Sequence, residues 1–269
     1  TNEPNLYADE AQYWVWAQDL GLGYFTKPPL IAWLIAGTTA LCGDGEGCIR
    51  LSSPLLHAAT ALLLAGAARR LFDPRIGFWT AVTYATLPAV SVSSTIASTD
   101  APLLAAWALG LHALVRLGEE DAPRWWALAG IATGLGLLAK YAMAGFAASA
   151  ALWLLLERGP AVLRRPGPWL AAALALALVA PNLAWNAGHG FATVRHIGAN
   201  ANLAAGVSFH PLMAGEFVGA QFGVFGPVLF ALLLWLLARR ATWQDRRTRM
   251  LALFVVPLGA VMVTQSFLS

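Results

Sequence analysis

Long apolar runs, separated by short polar connections, cover most of the chain. Each run approaches or reaches the ~20 residues that a helix needs to cross about 30 Å of hydrocarbon. The runs are Leu51–Leu71, Gly77–Ile96, Ala101–Val115, Trp125–Ala139, Ala142–Leu156, Trp169–Trp185, Leu212–Ala238 and Leu251–Phe267. The pattern therefore predicts an all-α, polytopic membrane protein with about eight transmembrane helices.

A further apolar run, Leu30–Leu41, is too short to cross a bilayer. It follows Pro28 and Pro29, and proline suits the first turn of a helix. We expect a short helix that lies on or dips into the membrane within a first external loop of residues 1–50. Residues 51–269 then form the helical bundle of the same single domain. Because the sequence begins at Thr1 rather than Met and ends within its last apolar run, we expect truncation at both ends.

Composition supports the membrane assignment. Hydrophobic residues make up 58% of the chain and charged residues only 12%, with a mean hydropathy of +0.62, whereas soluble domains carry roughly a quarter charged residues. The net charge of +3 could suggest an anionic partner. The arginines lie between the apolar runs, however, and not in one patch interleaved with exposed aromatic residues. Membrane topology therefore explains them better than nucleic-acid binding does.

The basic residues also predict an orientation, because cytoplasmic loops carry an excess of lysine and arginine. Thirteen of the 17 basic residues fall in every other connection. They are Arg69, Arg70, Arg75, Arg116, Arg124, Arg158, Arg164, Arg165, Arg239, Arg240, Arg246, Arg247 and Arg249. By alternation, the other side of the membrane receives residues 1–50, the turn at Ser98–Ala101, the turn at Lys140 and the loop Asn186–Phe209. We predict that this external side faces the periplasm of a bacterial inner membrane.

The segment Leu6–Leu30 is the strongest candidate for chemistry. Asp9 and Glu10 suit an acid, a base or a ligand of a divalent metal ion, and Lys27 is a point charge suited to a phosphate. The alternative interpretation is an aromatic-rich helix in the headgroup region whose two acidic residues are merely solvated. Arg195 is a second external cation.

Asp100 and Lys140 fall at the same predicted membrane depth. Asp100 could cap the helix that begins near Pro102, and Lys140 could reach the interface with its long side chain. Ionisable residues at a membrane edge are costly, so two opposite charges at one depth are read more simply as partners. We therefore predict an ion pair between them.

Other candidate motifs are weaker. Cys42 and Cys48 bracket CGDGEGC, which could close as a disulfide in an oxidising compartment or hold two free thiols. His189, His196 and His210 lie in or beside the last external loop, where a metal or phosphate role is unspecific. The sequence contains no HExxH, GxSxG or P-loop pattern, so zinc peptidase, serine hydrolase and nucleotide-driven pump lose support.

Four segments carry a resemblance to a known family. They are the run from YADEAQYW to SSPL near the N-terminus, STIASTDAPLLAAW, GLGLLAKYAMA and APNLAWNAGHGFATVRHI. In order and spacing they resemble the bacterial protein-O-mannosyltransferase-like family, which includes the aminoarabinose transferases of lipid A, within the C-type integral-membrane glycosyltransferases. The resemblance implies an enzyme that moves a sugar, with inversion, from a polyprenyl-phosphate donor to an external lipid or protein acceptor. Members also carry a C-terminal external domain that this sequence lacks.

The resemblance also implies roles for residues. It maps the catalytic acidic residue onto Asp9, beside Glu10, a lysine onto Lys27 and a second acidic residue onto Asp100. The chemistry adds Lys27 and Arg195 as cations for the donor phosphate. Tyr13 and Tyr24 are expected to line the substrate site, with an interfacial aromatic belt as the alternative. A transporter or flippase for an amphipathic solute, with Asp100 and Lys140 as a gating pair, is the competing function, and a non-catalytic assembly subunit is a third.

Overall fold

The computed structural model describes residues 6–200 and 211–268, and every element in these ranges is helical. The α-helices are α1 (Ala8–Gln18), α2 (Leu30–Cys42), α3 (Glu46–Arg50), α4 (Ser52–Leu71), α5 (Pro74–Thr86), α6 (Pro88–Ser93), α7 (Asp100–Glu119), α8 (Pro123–Ala139), α9 (Met143–Arg158), α10 (Pro166–Gly188), α11 (Ala192–Asn200), α12 (Pro211–Phe225), α13 (Pro227–Ala238), α14 (Arg240–Gln244) and α15 (Arg246–Leu268). A 3₁₀ helix, Pro160–Arg164, joins α9 to α10. The all-α prediction is confirmed.

Proline defines where several helices begin. Pro74, Pro123, Pro166 and Pro227 stand in the first turns of α5, α8, α10 and α13, where the missing N–H costs nothing. At α5 the carboxylate of Asp73 also accepts from the backbone N–H of Ile76 at 2.8 Å, which satisfies one of the donors left free at a helix N-terminus. The helix boundaries thus follow directly from local sequence.

The bundle is built around α7, which packs against α4, α8 and α9, while α10 covers the far side of α8. Glycine lets these helices approach closely, as in many membrane bundles. A Cβ on Gly110 of α7 would lie 2.5 Å from the ring of Phe146, and a Cβ on Gly130 of α8 would lie 2.4 Å from the carbonyl oxygen of Ala171. Contact of this kind leaves no room for a larger side chain.

By length and composition, four described helical stretches can cross a membrane: Glu46–Leu71, Asp100–Glu119, Pro166–Gly188 and Arg246–Phe267. The pair α12 and α13 adds a fifth if it counts as one span, although it bends by 115° at Gly226, which has a φ of 81°. The other expected spans are also helical, but α8 has 17 residues and α9 has 16. The count of about eight spans stays a prediction.

A second expected span, like the one that comprises α12 and α13, is not a single helix. The run Gly77–Ile96 is broken between α5 and α6, because Leu87 adopts an extended conformation with ψ of 135° before Pro88. Proline disfavours the α conformation in the residue that precedes it and cannot donate the next helical hydrogen bond. The expectation of one continuous helix here was wrong, and the dipeptide Leu87–Pro88 is the reason.

The short apolar run is helical as expected. Helix α2 packs against α1, α3 and α8, and its residues Ile31, Ala32 and Ile35 are fully buried. Cys42 at its end forms a disulfide with Cys48, with the two Cα atoms 5.9 Å apart. Of the two alternatives for these cysteines, the structure has the disulfide, which closes the loop between α2 and α3.

Candidate active site

The predicted external loops lie at one end of the bundle, which we call the aromatic end. It comprises α1, residues 19–29, the turn before α7, the turn between α8 and α9, and the junction of α10 with α11. Side chains join these segments across long sequence distances. Lys140 contacts Asp100, the side-chain amide of Asn182 donates to the carbonyl oxygen of Leu22, and the hydroxyl of Thr193 donates to the carbonyl oxygen of Tyr24. The sequence-based prediction that these loops converge is confirmed.

Adjacent acidic residues of α1 have opposite environments. The Asp9 side chain is exposed, whereas Glu10 is only 1% exposed. Both oxygens of Glu10 are occupied by the guanidinium of Arg50, with distances of 2.7 and 2.6 Å. The backbone N–H groups of Ala97 and Tyr7 donate to the same carboxylate, at 2.7 and 3.0 Å.

These contacts keep Glu10 ionised. Burial raises the pKa of its carboxyl, but the hydrogen bonds from Arg50, Ala97 and Tyr7 outweigh burial and bring the pKa below its usual value. A carboxylate whose lone pairs are all used cannot easily take a proton from a substrate. We therefore withdraw Glu10 from the expected catalytic residues, because the geometry gives it a structural role.

Asp9 keeps one contact, with Tyr13. The hydroxyl of Tyr13 donates to Asp9 Oδ2 at 3.3 Å, from a position one helical turn further along α1. Burial raises the pKa of Tyr13, and the negative charges of Asp9 and Asp100 raise it further. Tyr13 therefore makes a hydrogen bond to one carboxylate, that of Asp9, and is within electrostatic range of a second, that of Asp100. Tyr13 is 2% exposed, so its hydroxyl orients Asp9 from inside the protein. Its ring does not lie on an open surface, where a substrate-lining residue was expected.

The predicted ion pair between Asp100 and Lys140 is present. Lys140 Nζ lies 2.8 Å from Asp100 Oδ1. The two side chains remain 39% and 52% exposed, respectively, so water screens the pair and weakens it. The pair ties the first turn of α7 to the C-terminal end of α8, beside Tyr13.

The segment that carries Lys27 is a tight loop held by Tyr24. The Tyr24 ring stacks on Trp16 with centroids 4.4 Å apart. Its hydroxyl donates to the carbonyl oxygen of Trp16 at 3.0 Å and accepts from the backbone N–H of Gly21 at 3.0 Å. These contacts hold the loop together, and the expectation that Tyr24 lines the substrate site stays a prediction.

Lys27 and Arg195 stand on segments that touch. Besides the bond from Thr193 to Tyr24, the ring of Phe25 lies 5.8 Å from that of His196, between centroids. The Lys27 side chain is partly exposed, and within residues 6–200 and 211–268 neither cation forms an ion pair. The guanidinium of Arg195 lies close to Gly190. A Cβ added at Gly190 would come within 2.6 Å of Arg195 Nη2.

A network of buried amides supports this region, and sequence reasoning missed it. Asn182 and Asn186 of α10 are each 1% exposed. The hydroxyl of Tyr141 donates to Asn182 Oδ1 at 2.6 Å and accepts from Asn186 Nδ2 at 3.0 Å. Asn186 Oδ1 accepts from the backbone N–H of Thr193 at 3.2 Å. Two asparagines four residues apart in an apolar helix were the available signal, since buried polar groups need partners.

No group of three histidine, cysteine or acidic side chains comes together as a metal-binding set in the described parts of the chain. His189 Nδ1 donates to the carbonyl oxygen of Trp185 in the preceding helix α10, at 2.8 Å. His210 lies outside the described residues, as does the end of the loop Asn186–Phe209.

Comparison with known proteins gives a consistent picture. Residues 26–185 match the family model described as dolichyl-phosphate-mannose-protein mannosyltransferase. A lipid A galacturonosyltransferase, RgtD, from Rhizobium johnstonii is 38% identical over 97% of this chain and 55% of its own length. An undecaprenyl phosphate-alpha-4-amino-4-deoxy-L-arabinose arabinosyl transferase from Pseudomonas aeruginosa strain PAO1 is 36% identical over 53% of this chain and 25% of its own. The chain therefore spans about half or less of these relatives.

Solved structures agree on the fold. The crystal structure of ArnT from Cupriavidus metallidurans bound to undecaprenyl phosphate superposes with a TM-score of 0.76 and 19% identity, over 98% of this chain and 51% of that one. The apo structure of the same protein gives 0.73 and 21%, over 97% of this chain and 50% of that one. At this level of identity the likeness concerns the fold alone.

Proposed function

Because the chain belongs to the dolichyl-phosphate-mannose-protein mannosyltransferase family, we propose that it carries the catalytic half of a membrane glycosyltransferase. The donor is a sugar linked to polyprenyl phosphate, and the acceptor is a glycolipid of the lipid A class. The names of the similar proteins support both substrates, since one specifies lipid A and the other undecaprenyl phosphate. The single observation that carries the proposal is the exposed carboxylate of Asp9 at the same end of the bundle as two cations without ion-pair partners among the described residues.

The chemistry follows from this layout. Asp9 accepts the proton of the acceptor hydroxyl as the oxygen of that hydroxyl attacks the anomeric carbon. The bond between that carbon and the phosphate oxygen breaks, and polyprenyl phosphate leaves with the electron pair. Lys27 and Arg195 stabilise the negative charge that develops on the phosphate, which favours the transition state over the bound substrate. Attack from the face opposite the leaving group inverts the anomeric carbon.

Tyr13 and the ion pair of Asp100 with Lys140 complete the site. The Tyr13 hydroxyl fixes one rotamer of Asp9 by its hydrogen bond. Asp100, in the first turn of α7, adds a second carboxylate at the aromatic end, where it suits the sugar hydroxyls of the donor. Lys140 offsets the negative charge of Asp100, because its ammonium group contacts that carboxylate directly.

The aromatic end is proposed to face the periplasm of the bacterial inner membrane. The basic connections cluster at the opposite end, as expected for the cytoplasmic side. The disulfide between Cys42 and Cys48 lies at the aromatic end, and disulfides persist in oxidising compartments such as the periplasm. A transporter is less well supported, because transport sites lie near the bilayer midplane and these charges lie at one end.

The experiment is a transfer assay with the purified full-length protein. It uses a panel of polyprenyl-phosphate sugars and lipid A, with and without a chelator, and mass spectrometry of the lipid product. We expect an added sugar from one donor of the panel and free polyprenyl phosphate in equal amount. Loss of donor without a glycosylated lipid, or movement of unmodified lipid between vesicle leaflets, would contradict the proposal and favour a hydrolase or a flippase.

A further inference from the structure

Glu10 joins three segments that are distant in sequence. Its oxygens accept from Tyr7 before α1, from Arg50 on α3 and from the backbone of Ala97, 87 residues further along the chain. The carboxylate is buried, so each of these hydrogen bonds is made in a region with little competing water. We call this arrangement the Glu10–Arg50 joint.

The two carboxylates of the proposed site lie beside this joint. Asp9 directly precedes Glu10 on α1, and Asp100 begins α7 three residues after Ala97. The loop before α7 and the first turn of α1 are therefore held to the same buried group. A change at Glu10 is therefore expected to shift Asp9 relative to Asp100 without removing either side chain.

Arg50 is itself held by the disulfide loop. Helix α3 has only five residues, so it depends on outside contacts to keep its place. The disulfide fixes its Cys48 to the end of α2. Asp44 in the same loop accepts from the indole N–H of Trp14 on α1 at 3.1 Å. Arg50 also pairs with Glu46, one turn earlier on α3.

We propose that Glu10 and Arg50 are positioning residues that fix the position of Asp9 relative to Asp100. The disulfide between Cys42 and Cys48 holds Arg50 in the position that this requires. The inference rests on the proposed function, since it requires Asp9 and Asp100 to act in sugar transfer. Neither Glu10 nor Arg50 contacts substrate in this scheme. They act by holding the geometry that the reacting groups need, and a misplacement of about 1 Å can cost roughly 10²-fold in rate.

The central test compares variants of the joint in the full-length protein. Glu10→Gln keeps the shape but replaces one acceptor oxygen by a donor. Because each oxygen of Glu10 accepts two of the four hydrogen bonds, two of them are left unmade. We expect kcat to fall about 10²-fold, with the KM for the donor nearly unchanged. Arg50→Lys keeps the charge but lacks the planar fork, and we expect a smaller fall in kcat of the same kind.

Glu46→Gln is the matched control. It removes the other carboxylate partner of Arg50 but leaves the contacts to α1 and to Ala97 untouched. We expect its kcat to stay within about twofold of the wild type, because the joint that links the two site carboxylates is intact. A fall in Glu46→Gln as large as in Glu10→Gln would overturn the proposal, since loss of Arg50 contacts in general would then explain both.

Two further measurements separate positioning from simple loss of stability. Hydrogen exchange at residues 94–100 should be faster in folded Glu10→Gln than in the wild type, because the acceptor of the Ala97 N–H is weakened. In an Asp9→Asn background, Glu10→Gln should lower kcat by much less than 10²-fold, since the group it positions is gone. An undiminished effect in that background would overturn the positioning role.

A variant that fails to fold does not end the test. If Glu10→Gln cannot be purified, Arg50→Lys and the double change Cys42→Ser with Cys48→Ser act on the joint from its other side. Wild-type kcat in both would overturn the proposal. An Asp9→Asn enzyme with full activity would instead contradict the proposed function, and the exchange at residues 94–100 would still report whether the joint exists.

Discussion

The two ends of the helical bundle use charge in different ways. At the end opposite the aromatic end, which we call the basic end, acidic side chains have structural partners. Asp121 contacts Arg158 and Arg165, and Glu157 contacts Arg246 and Arg249. Glu119 and Glu120 also pair with arginine, while Asp73 and Asp245 accept from backbone N–H groups of the helices that follow them.

At the aromatic end, an exposed carboxylate has no ion-pair partner among the described residues. Within the described residues, Asp9 makes a hydrogen bond only with the hydroxyl of Tyr13, whereas the acidic side chains named above for the basic end pair with arginine or accept from a helix N-terminus. Structural charges exist at the aromatic end too, but Glu10 and Arg50 are kept apart from the exposed groups by burial. We infer from this difference that charges at the basic end stabilise the bundle, whereas those at the aromatic end serve the proposed substrate site. Substitutions at the aromatic end should therefore change kcat or KM, and substitutions at the basic end should change the midpoint of thermal unfolding.

The largest effect is expected from Asp9→Asn. The amide cannot accept the proton of the acceptor hydroxyl, and a positioned general base contributes about 10²–10⁴-fold to rate. We expect kcat to fall by that factor while the midpoint of thermal unfolding stays unchanged, because the side chain is exposed. Asp19→Asn, an exposed change of the same chemistry in the following loop, should retain activity. Full turnover in Asp9→Asn would remove the distinction between the two ends.

Lys27→Ala should have the next largest effect. Loss of one group that stabilises a developing negative charge costs about 10²–10³-fold in turnover, and the same group is proposed to bind the donor in its ground state. We therefore expect kcat to fall and the KM for the polyprenyl-phosphate donor to rise together. Arg75→Ala, which removes an exposed cation at the basic end, is the control. Equal losses in both variants would indicate a general effect of net charge.

How far the sequence alone leads also differs between the two ends. Arginine in alternate connections predicted the basic end, and the pair of Asp100 with Lys140 followed from opposite charges at one depth. The role of Glu10 could not be predicted, because its partners Arg50 and Ala97 are 40 and 87 residues away. Only the folded chain distinguishes it from Asp9. The break at Pro88, by contrast, was readable locally from the effect of proline on the preceding residue.

At the basic end, Glu157→Gln should affect stability and not catalysis. Glu157 is 5% exposed and accepts from both Arg246 and Arg249 at 2.6 Å, so its removal leaves two cations that tie α15 to α9 without their partner. Hydrogen bonds to charged groups contribute about 1.5–3 kcal/mol each, reduced here because Arg246 is 62% exposed. We expect a lower midpoint of thermal unfolding with an unchanged KM for the donor. Glu120→Gln, whose partner Arg124 is exposed, is the control and should be nearly neutral.

The smallest effect is expected from the coupling between Asp100 and Lys140. Exposed ion pairs contribute ~0.2–1 kcal/mol to stability, and both partners here are more than a third exposed. A double-mutant cycle with Asp100→Asn and Lys140→Met should therefore show a coupling free energy of unfolding below about 1 kcal/mol. Activity should behave differently, because Asp100→Asn removes a site carboxylate, whereas Lys140→Met keeps the Asp100 carboxylate but removes its neutralising partner. If the losses of activity, expressed as free energies, are additive, the two residues act separately, and Asp100 contacts the donor independently of Lys140.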